Sequence, residues 1–192
     1  MQKLRIAIVE DEAIILNTFS MHVRNMGHEV CGMAFDGNEA VKMINETNPD
    51  MVLVDLNLPG KDGISVINEA CINKMIPSVI ITGHYSTKII NQANIPCVYG
   101  YLMKPVREAQ VRAAIDIAWS RHLEQKNAQA EAQEYKNALE NRKYIERAKG
   151  ILMDEFGLKE NEAMKRLQKM SQDRKKKLVD IAKNLIEAYE KI

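Results

Sequence analysis

The sequence predicts an α/β protein: a doubly wound, parallel five-stranded sheet followed by a long linker helix and a small three-helix C-terminal bundle. Short β-branched apolar runs alternate with helical patterns through the first 120 residues. All five prolines, and every glycine except Gly150 and Gly157, precede residue 106, so turns are frequent early and scarce later. Charge divides the same way. Residues 1–120 carry 10 basic and 13 acidic side chains, and residues 121–192 carry 17 and 13, which hides behind a net charge of +1.

The elements follow in order. Residues 4–9 form a first strand that runs into Glu10-Asp11-Glu12, and a helix follows near 13–26. A weaker strand at 29–34 and a helix at 36–46 lead to residues 50–54, apolar after Asp50 and ending at Asp55. Such a run suits a strand covered on both faces. A helix at 63–74 precedes the strand 78–81, which ends at Thr82-Gly83. A helix at 86–92, a weaker strand at 98–102 and a helix at 106–120 complete the series. Strand–helix repeats of this kind imply parallel pairing, right-handed crossovers and helices on both faces.

Beyond Val106 neither proline nor glycine interrupts the chain up to Lys149, and residues 118–142 are rich in good helix formers. Ala118, Arg121, Gln125, Ala128, Ala132, Tyr135, Leu139 and Arg142 follow alternating three-and-four spacing, a weak coiled-coil seam that reads equally well as a solvated linker. Trp119 is expected to pack at its head. Gly157 separates a helix ending near Phe156 from one over 160–170, and Ser171 or Asp173 is positioned to cap a third helix reaching Glu190. Apolar stripes at Ile145, Ala148, Leu152, at Ala163, Leu167, Met170 and at Leu178, Ile181, Ala182, Leu185, Ile186 give each helix one face to bury. The domain boundaries read as 1–118, a helical linker 119–136, and 137–192.

Several classes are excluded. No apolar run approaches the roughly 18–20 residues that cross a bilayer. The opening Met1-Gln2-Lys3-Leu4-Arg5 leads to four apolar residues before Glu10, too few for a signal-peptide core. Cys31, Cys71 and Cys97 form no CxxC pair and read as buried thiols in a reducing compartment, so a cytoplasmic location is expected.

In a doubly wound fold, ligands gather at the carboxyl ends of the strands. Glu10, Asp11, Asp55, Thr82 and Lys104 each follow an apolar strand directly or nearly so. Three carboxylates there suit a hard cation such as Mg²⁺, which takes one or two carboxylates and keeps other oxygens around it. A metal-bound carboxylate is also a competent nucleophile toward phosphorus. Lys104 offers a point charge and Thr82 a hydroxyl for phosphoryl oxygens. The set reads as a site that holds a phosphoryl group.

These motifs resemble those of response-regulator receiver domains of two-component signalling, whose fold is flavodoxin-like. They stand here as Val9-Glu10-Asp11-Glu12, Val52-Leu53-Val54-Asp55-Leu56-Asn57-Leu58-Pro59-Gly60-Lys61-Asp62-Gly63, Ile80-Ile81-Thr82-Gly83 and Tyr101-Leu102-Met103-Lys104-Pro105. The resemblance covers residues 3–120. It implies that Asp55 accepts phosphate from a histidine kinase. Glu10, Asp11, Asp55 and the backbone carbonyl of Asn57 then hold Mg²⁺, and Thr82 and Lys104 read the phosphoryl group. It further implies that Tyr101 is the aromatic that swings inward on activation and that Lys104-Pro105 is a cis peptide. Asn57 and His84 lie where they would tune phosphate lifetime, although His84 reads equally as a surface loop residue.

The second half carries two basic groups: Arg142, Lys143, Arg147 and Lys149 on the first helix, and Arg174-Lys175-Lys176-Lys177. The latter run is expected in the first turns of the third helix, where the macrodipole disfavours cations. That placement suggests an anionic partner, against the plainer reading of a solvated basic face. Residues 137–190 resemble the ANTAR domain, an RNA-binding antitermination module, through Arg142-Lys143-Tyr144-Ile145-Glu146-Arg147-Ala148-Lys149-Gly150-Ile151-Leu152-Met153, then Glu162-Ala163-Met164, Leu167 and Lys177-Leu178-Val179-Asp180-Ile181-Ala182. Lys159 stands where a Ser or Thr cap is usual, and Gln168 where an Arg is common.

The resemblance implies binding to stem-loop RNA in nascent transcripts, with Arg142, Lys143, Tyr144, Arg147, Lys149, Gly150 and Arg174 through Lys177 as contact candidates. Gly150 is expected to permit close approach of a backbone or ligand, and Tyr144 either stacks on a base or packs. The combined reading is a phosphorylation-controlled transcription antiterminator that is not an enzyme, a homodimer when phosphorylated. A DNA-binding output and a protein-docking output stay open as alternatives. A phosphotransfer module would need an exposed histidine, for which His122 is the one candidate.

Overall fold

The computed structural model describes residues 2–83 and 95–190. The helix expected at 86–92 and His84 lie outside these residues. Five strands, β1 (Arg5–Val9), β2 (Glu29–Ala34), β3 (Met51–Asp55), β4 (Ser78–Thr82) and β5 (Val98–Met103), form one wholly parallel sheet in the order β2-β1-β3-β4-β5.

Side chains alternate across a strand, and this period of two sorts β1 between two cores. Ile6 and Ile8 face one side, with Leu53, Val79 and Ile81, under Leu16, Phe19 and Val23 of α1 (Ala13–Asn25). Val111, Ile115 and Ala118, near the start of α4 (Glu108–Phe156), complete that layer. Ala7 and Val9 face the other side, with Val52, Val54 and Ile80. There α2 (Gly37–Thr47) contributes Ala40 and Ile44, and α3 (Gly63–Val66) with the wider helical turns after it contributes Val66, Ile67 and Cys71. β3 and β4 are buried at every residue, as their unbroken apolar runs require.

The chain divides into two compact units, Met1–Lys126 and Asn127–Ile192. In the second, the end of α4 packs with α5 (Glu160–Arg174) and α6 (Leu178–Tyr189) around Ala148, Leu152, Ala163, Leu167, Ile181, Ala182 and Ile186. The three apolar stripes read from the sequence all contribute to this core. Gly157 leaves α4 with φ +62°, a left-handed conformation in which a Cβ is strained.

The basic run is placed differently from the expectation. Arg174 is the last residue of α5, Lys175 is left-handed (φ 51°), and Lys177 is the N-cap of α6. Ser171 and Asp173 lie inside α5 and cap nothing; the Ser171 hydroxyl donates to the Lys176 carbonyl at 2.6 Å. Four cations therefore do not crowd the positive pole of one helix. Arg174 sits at the negative end of α5, where a cation is favoured. The helix boundary is masked in sequence because a lysine occupies the left-handed position that glycine usually fills.

Lys159 is the N-cap of α5 and gives no side-chain cap, but Glu162 accepts its backbone N–H at 2.9 Å. With Glu160 also in the first turn, the helix start is satisfied without the usual Ser or Thr.

Candidate functional site

Strand order reverses between β1 and β3, which opens a crevice at their carboxyl ends. Glu10 and Asp11 follow β1 and Asp55 ends β3. One carboxylate oxygen from each lies within 4.8 Å of the others. Glu10 and Asp55 are buried, whereas Asp11 is exposed.

Lys104 arrives from β5. Its backbone N–H donates to the Thr82 carbonyl at 2.8 Å, which ties it to the end of β4. Its Nζ donates to Asp55 Oδ2 at 2.5 Å and to Glu10 Oε1 at 2.8 Å. Nζ is also 2.7 Å from Glu10 Oε2, yet that oxygen is buried and, among the described residues, has no partner in hydrogen-bonding geometry. Burial, opposed by the Lys104 hydrogen bond and reinforced by the Asp55 charge, pushes the Glu10 carboxyl up to about 7. Burial pulls Lys104 the other way, but its hydrogen bonds to Asp55 and Glu10 prevail and hold the ammonium above its usual range.

Of the three clustered carboxylates, Glu10 and Asp55 pair with the Lys104 ammonium, and among the described residues one buried acceptor, Glu10 Oε2, lacks a donor in hydrogen-bonding geometry. Such a cluster could hold a divalent cation, and its all-oxygen donor set fits Mg²⁺ by hardness. Thr82 is buried beside this group at the end of β4. The Asn57 backbone N–H donates to Asp55 Oδ1 at 3.3 Å, which holds the loop after β3 against the carboxylate. The Lys104-Pro105 peptide is cis. Tyr101, on β5, is 40% exposed.

Gly63, in the motif that follows Asp55, carries a role that the packing shows. A Cβ there would lie 2.2 Å from the Asp55 carbonyl oxygen, so only glycine lets α3 begin this close to the acceptor. Asp62 caps that start by accepting the Ser65 N–H at 2.7 Å. The pair Asp62-Gly63 was the available signal.

The basic candidates of the helical unit divide sharply. Arg142 and Lys143 are exposed. Lys149, one of the RNA-contact candidates, is 7% exposed and is held between Glu146 and Glu160, each at 2.8 Å, so its charge is met within the molecule. Arg147 pairs with Glu190 at 2.5 Å. Tyr144 is 40% exposed and carries Lys183 Nζ 4.7 Å from its ring centre, a cation–π contact. A Cβ on Gly150 would meet nothing within 4 Å, so nothing among the described residues explains that glycine by crowding. Arg174, Lys175, Lys176 and Lys177 are all exposed.

His122 does not suit a phosphotransfer role. It is half-buried, stacked on Trp119 at 5.4 Å and met edge-on by Tyr99 at 6.1 Å. Burial, helped by Lys126, lowers its pKa.

The response regulator receiver domain family matches residues 6–116, and the ANTAR domain family matches residues 133–186. This chain belongs to the response regulators that join a receiver to an ANTAR domain. A transcriptional regulatory protein of Mycobacterium tuberculosis (strain CDC 1551 / Oshkosh), PdtaR, is 33% identical over 183 residues, covering 95% of this chain and 89% of that protein. The signal receiver domain of a modulated diguanylate cyclase from Desulfovibrio desulfuricans G20 superposes with TM-score 0.60 at 26% identity, covering 65% of this chain and 99% of that one. A LuxR-family two-component response regulator from Aurantimonas sp. SI85-9A1 gives TM-score 0.57 at 28% identity, over 62% of this chain and 86% of that one.

As a receiver–ANTAR response regulator the protein has a phosphoryl-accepting input and an RNA-binding antitermination output, and such regulators are not an enzyme family. Among the described residues, no helix is long and apolar enough to cross a membrane.

Proposed function

We propose that Asp55 is the phosphoacceptor and that its phosphorylation controls RNA binding by the helical unit. The observation that carries this reading is the buried Asp55 carboxylate, hydrogen-bonded to Lys104 and clustered with Glu10 and Asp11. An Asp55 carboxylate oxygen forms the bond to phosphorus while the imidazole nitrogen of a phosphohistidine donor leaves. Lys104 keeps its charge where the phosphoryl oxygens arrive, and Thr82 offers its hydroxyl to them. Glu10, Asp11, Asp55 and the Asn57 carbonyl would hold Mg²⁺, which supplies charge neutralisation for an in-line transfer. Thr82 and Tyr101 then form the switch, on the neighbouring strands β4 and β5.

The proposed division of labour is 1–118 for input, 119–136 as linker and 137–192 for output. Ala128, Ala132, Tyr135 and Leu139 of α4 are exposed, Tyr135 at 77% and Leu139 at 58%, which supports a second copy of the chain covering this seam on phosphorylation. The cognate ligand is stem-loop RNA in a nascent transcript. Arg142, Lys143 and the Arg174–Lys177 corner supply phosphate contacts in a cytoplasmic setting. The test is to weigh the protein in solution with and without an acyl-phosphate donor and to titrate each species with hairpin RNA. A phosphorylated dimer with tighter RNA binding is expected. Equal RNA binding by Asp55→Ala and the parent, both with donor, would refute control through Asp55.

A further inference from the structure

Within the helical unit the end of α4, α5 and α6 surround a hollow of about 620 Å³, a size typical of sites for small ligand groups. Leu152, Leu158, Met170 and Leu185 make it apolar. Phe156 also lines it, yet is 70% exposed, a large ring left in water at the end of α4. Lys165, Arg166 and Lys169 of α5 stand around the same hollow and are exposed. Among the described residues they enter none of the ion pairs. The one carboxylate there, Glu162, is engaged by the Lys159 N–H at 2.9 Å.

This contrasts with Arg147 and Lys149, whose charges are met by Glu190, Glu146 and Glu160. Three cations outside any ion pair among the described residues, around an apolar hollow with an exposed aromatic ring, match one ligand chemistry: a planar aromatic unit joined on both sides to anions. An unpaired nucleotide in a loop is such a unit, because its base stacks on side-chain rings while its phosphates pair with cations. A purely apolar segment would leave the three cations unanswered.

We propose that this hollow receives one unpaired base of the RNA loop, stacked on Phe156, with Lys165, Arg166 and Lys169 holding the flanking phosphates. The proposal rests on the RNA-binding reading above and adds to it a site that the basic runs of the sequence did not indicate.

The experiment uses the full chain with an acyl-phosphate donor, titrated at several salt concentrations with a pool of hairpin RNAs of randomised loop and with fully paired duplexes of the same stem. Phe156→Leu is expected to weaken hairpin binding roughly tenfold to hundredfold, the scale for losing one base–aromatic stack. Phe156→Trp is expected to retain it. Combined Lys165→Gln, Arg166→Gln and Lys169→Gln should lower the slope of log affinity against log salt by about two. Lys136→Gln, on the exposed stretch of α4, should leave the slope unchanged. Hairpin binding by Phe156→Leu equal to that of a loop-preferring parent overturns the base site and leaves the RNA reading intact. A parent that binds hairpin and duplex alike overturns the base site, and one that binds an acidic peptide but no RNA overturns both. Helical content measured by circular dichroism keeps a folding failure from passing as support, and the exposed Phe156 makes such a failure unexpected.

Discussion

The two halves of this chain use charge in opposite ways. In the receiver, Glu10, Asp55 and Lys104 are drawn into a crevice with two of the carboxylates buried, so a few side chains at 2.5–2.8 Å decide the chemistry. In the helical unit many cations are spread over exposed helix surfaces, and the buried one, Lys149, is already neutralised. Burial magnifies each charge because water no longer screens it; exposure makes each one weak, additive and sensitive to salt. The first arrangement suits covalent chemistry on one atom, and the second suits a polyanion.

The sharpest way to break this comparison is Asp55→Asn. It should abolish donor-dependent mass gain, while RNA affinity measured without donor stays at the parent value. Next in size is Leu167→Ala, which empties a fully buried position of the helical core. About 2–5 kcal/mol should be lost, enough to unravel so small a bundle. RNA binding should vanish while Asp55 remains phosphorylatable in the same sample, if the two compact units keep separate cores.

Gly63→Ala tests how closely α3 must approach the acceptor. The clash with the Asp55 carbonyl should cost about 1–3 kcal/mol, read as a lower melting temperature of the receiver transition and a slower phosphorylation rate. The cysteines report the receiver alone, since all three lie in it. Burial pushes the Cys71 thiol up to about 12 and the Cys97 thiol to about 11. Thiolate, the reactive form, is therefore scarce at neutral pH. Mass spectrometry after iodoacetamide treatment should find both unmodified in the native chain and in Leu167→Ala, and both modified in denaturant. The smallest effect is expected at Arg147→Gln. Its exposed pair with Glu190 contributes about 0–1 kcal/mol, so the melting temperature should barely move.

Much of the receiver site could be read in the sequence because the fold class itself dictates where strands end. Once residues 50–54 are a buried parallel strand, Asp55 must stand at the carboxyl edge, and Glu10 and Thr82 follow by the same rule. The helical unit was less open to such reading. Lys149 looked like any surface lysine until Glu160, on a different helix, closed over it. The run from Arg174 to Lys177 looked like one helical face because nothing local marked Lys175 as left-handed. Lys165, Arg166 and Lys169 carry no local signal, because only the packing of α4, α5 and α6 makes the hollow they surround.

The sequence by itself determined the sheet, the apolar faces of the helices and the five polar residues at the strand ends, since period, turn residues and strand edges are local properties. Tertiary structure alone decided which charges are spent inside the molecule and which remain for a ligand. That depends on partners such as Glu190 for Arg147 and Asp55 for Lys104, distant in the chain, and no local pattern brings them together.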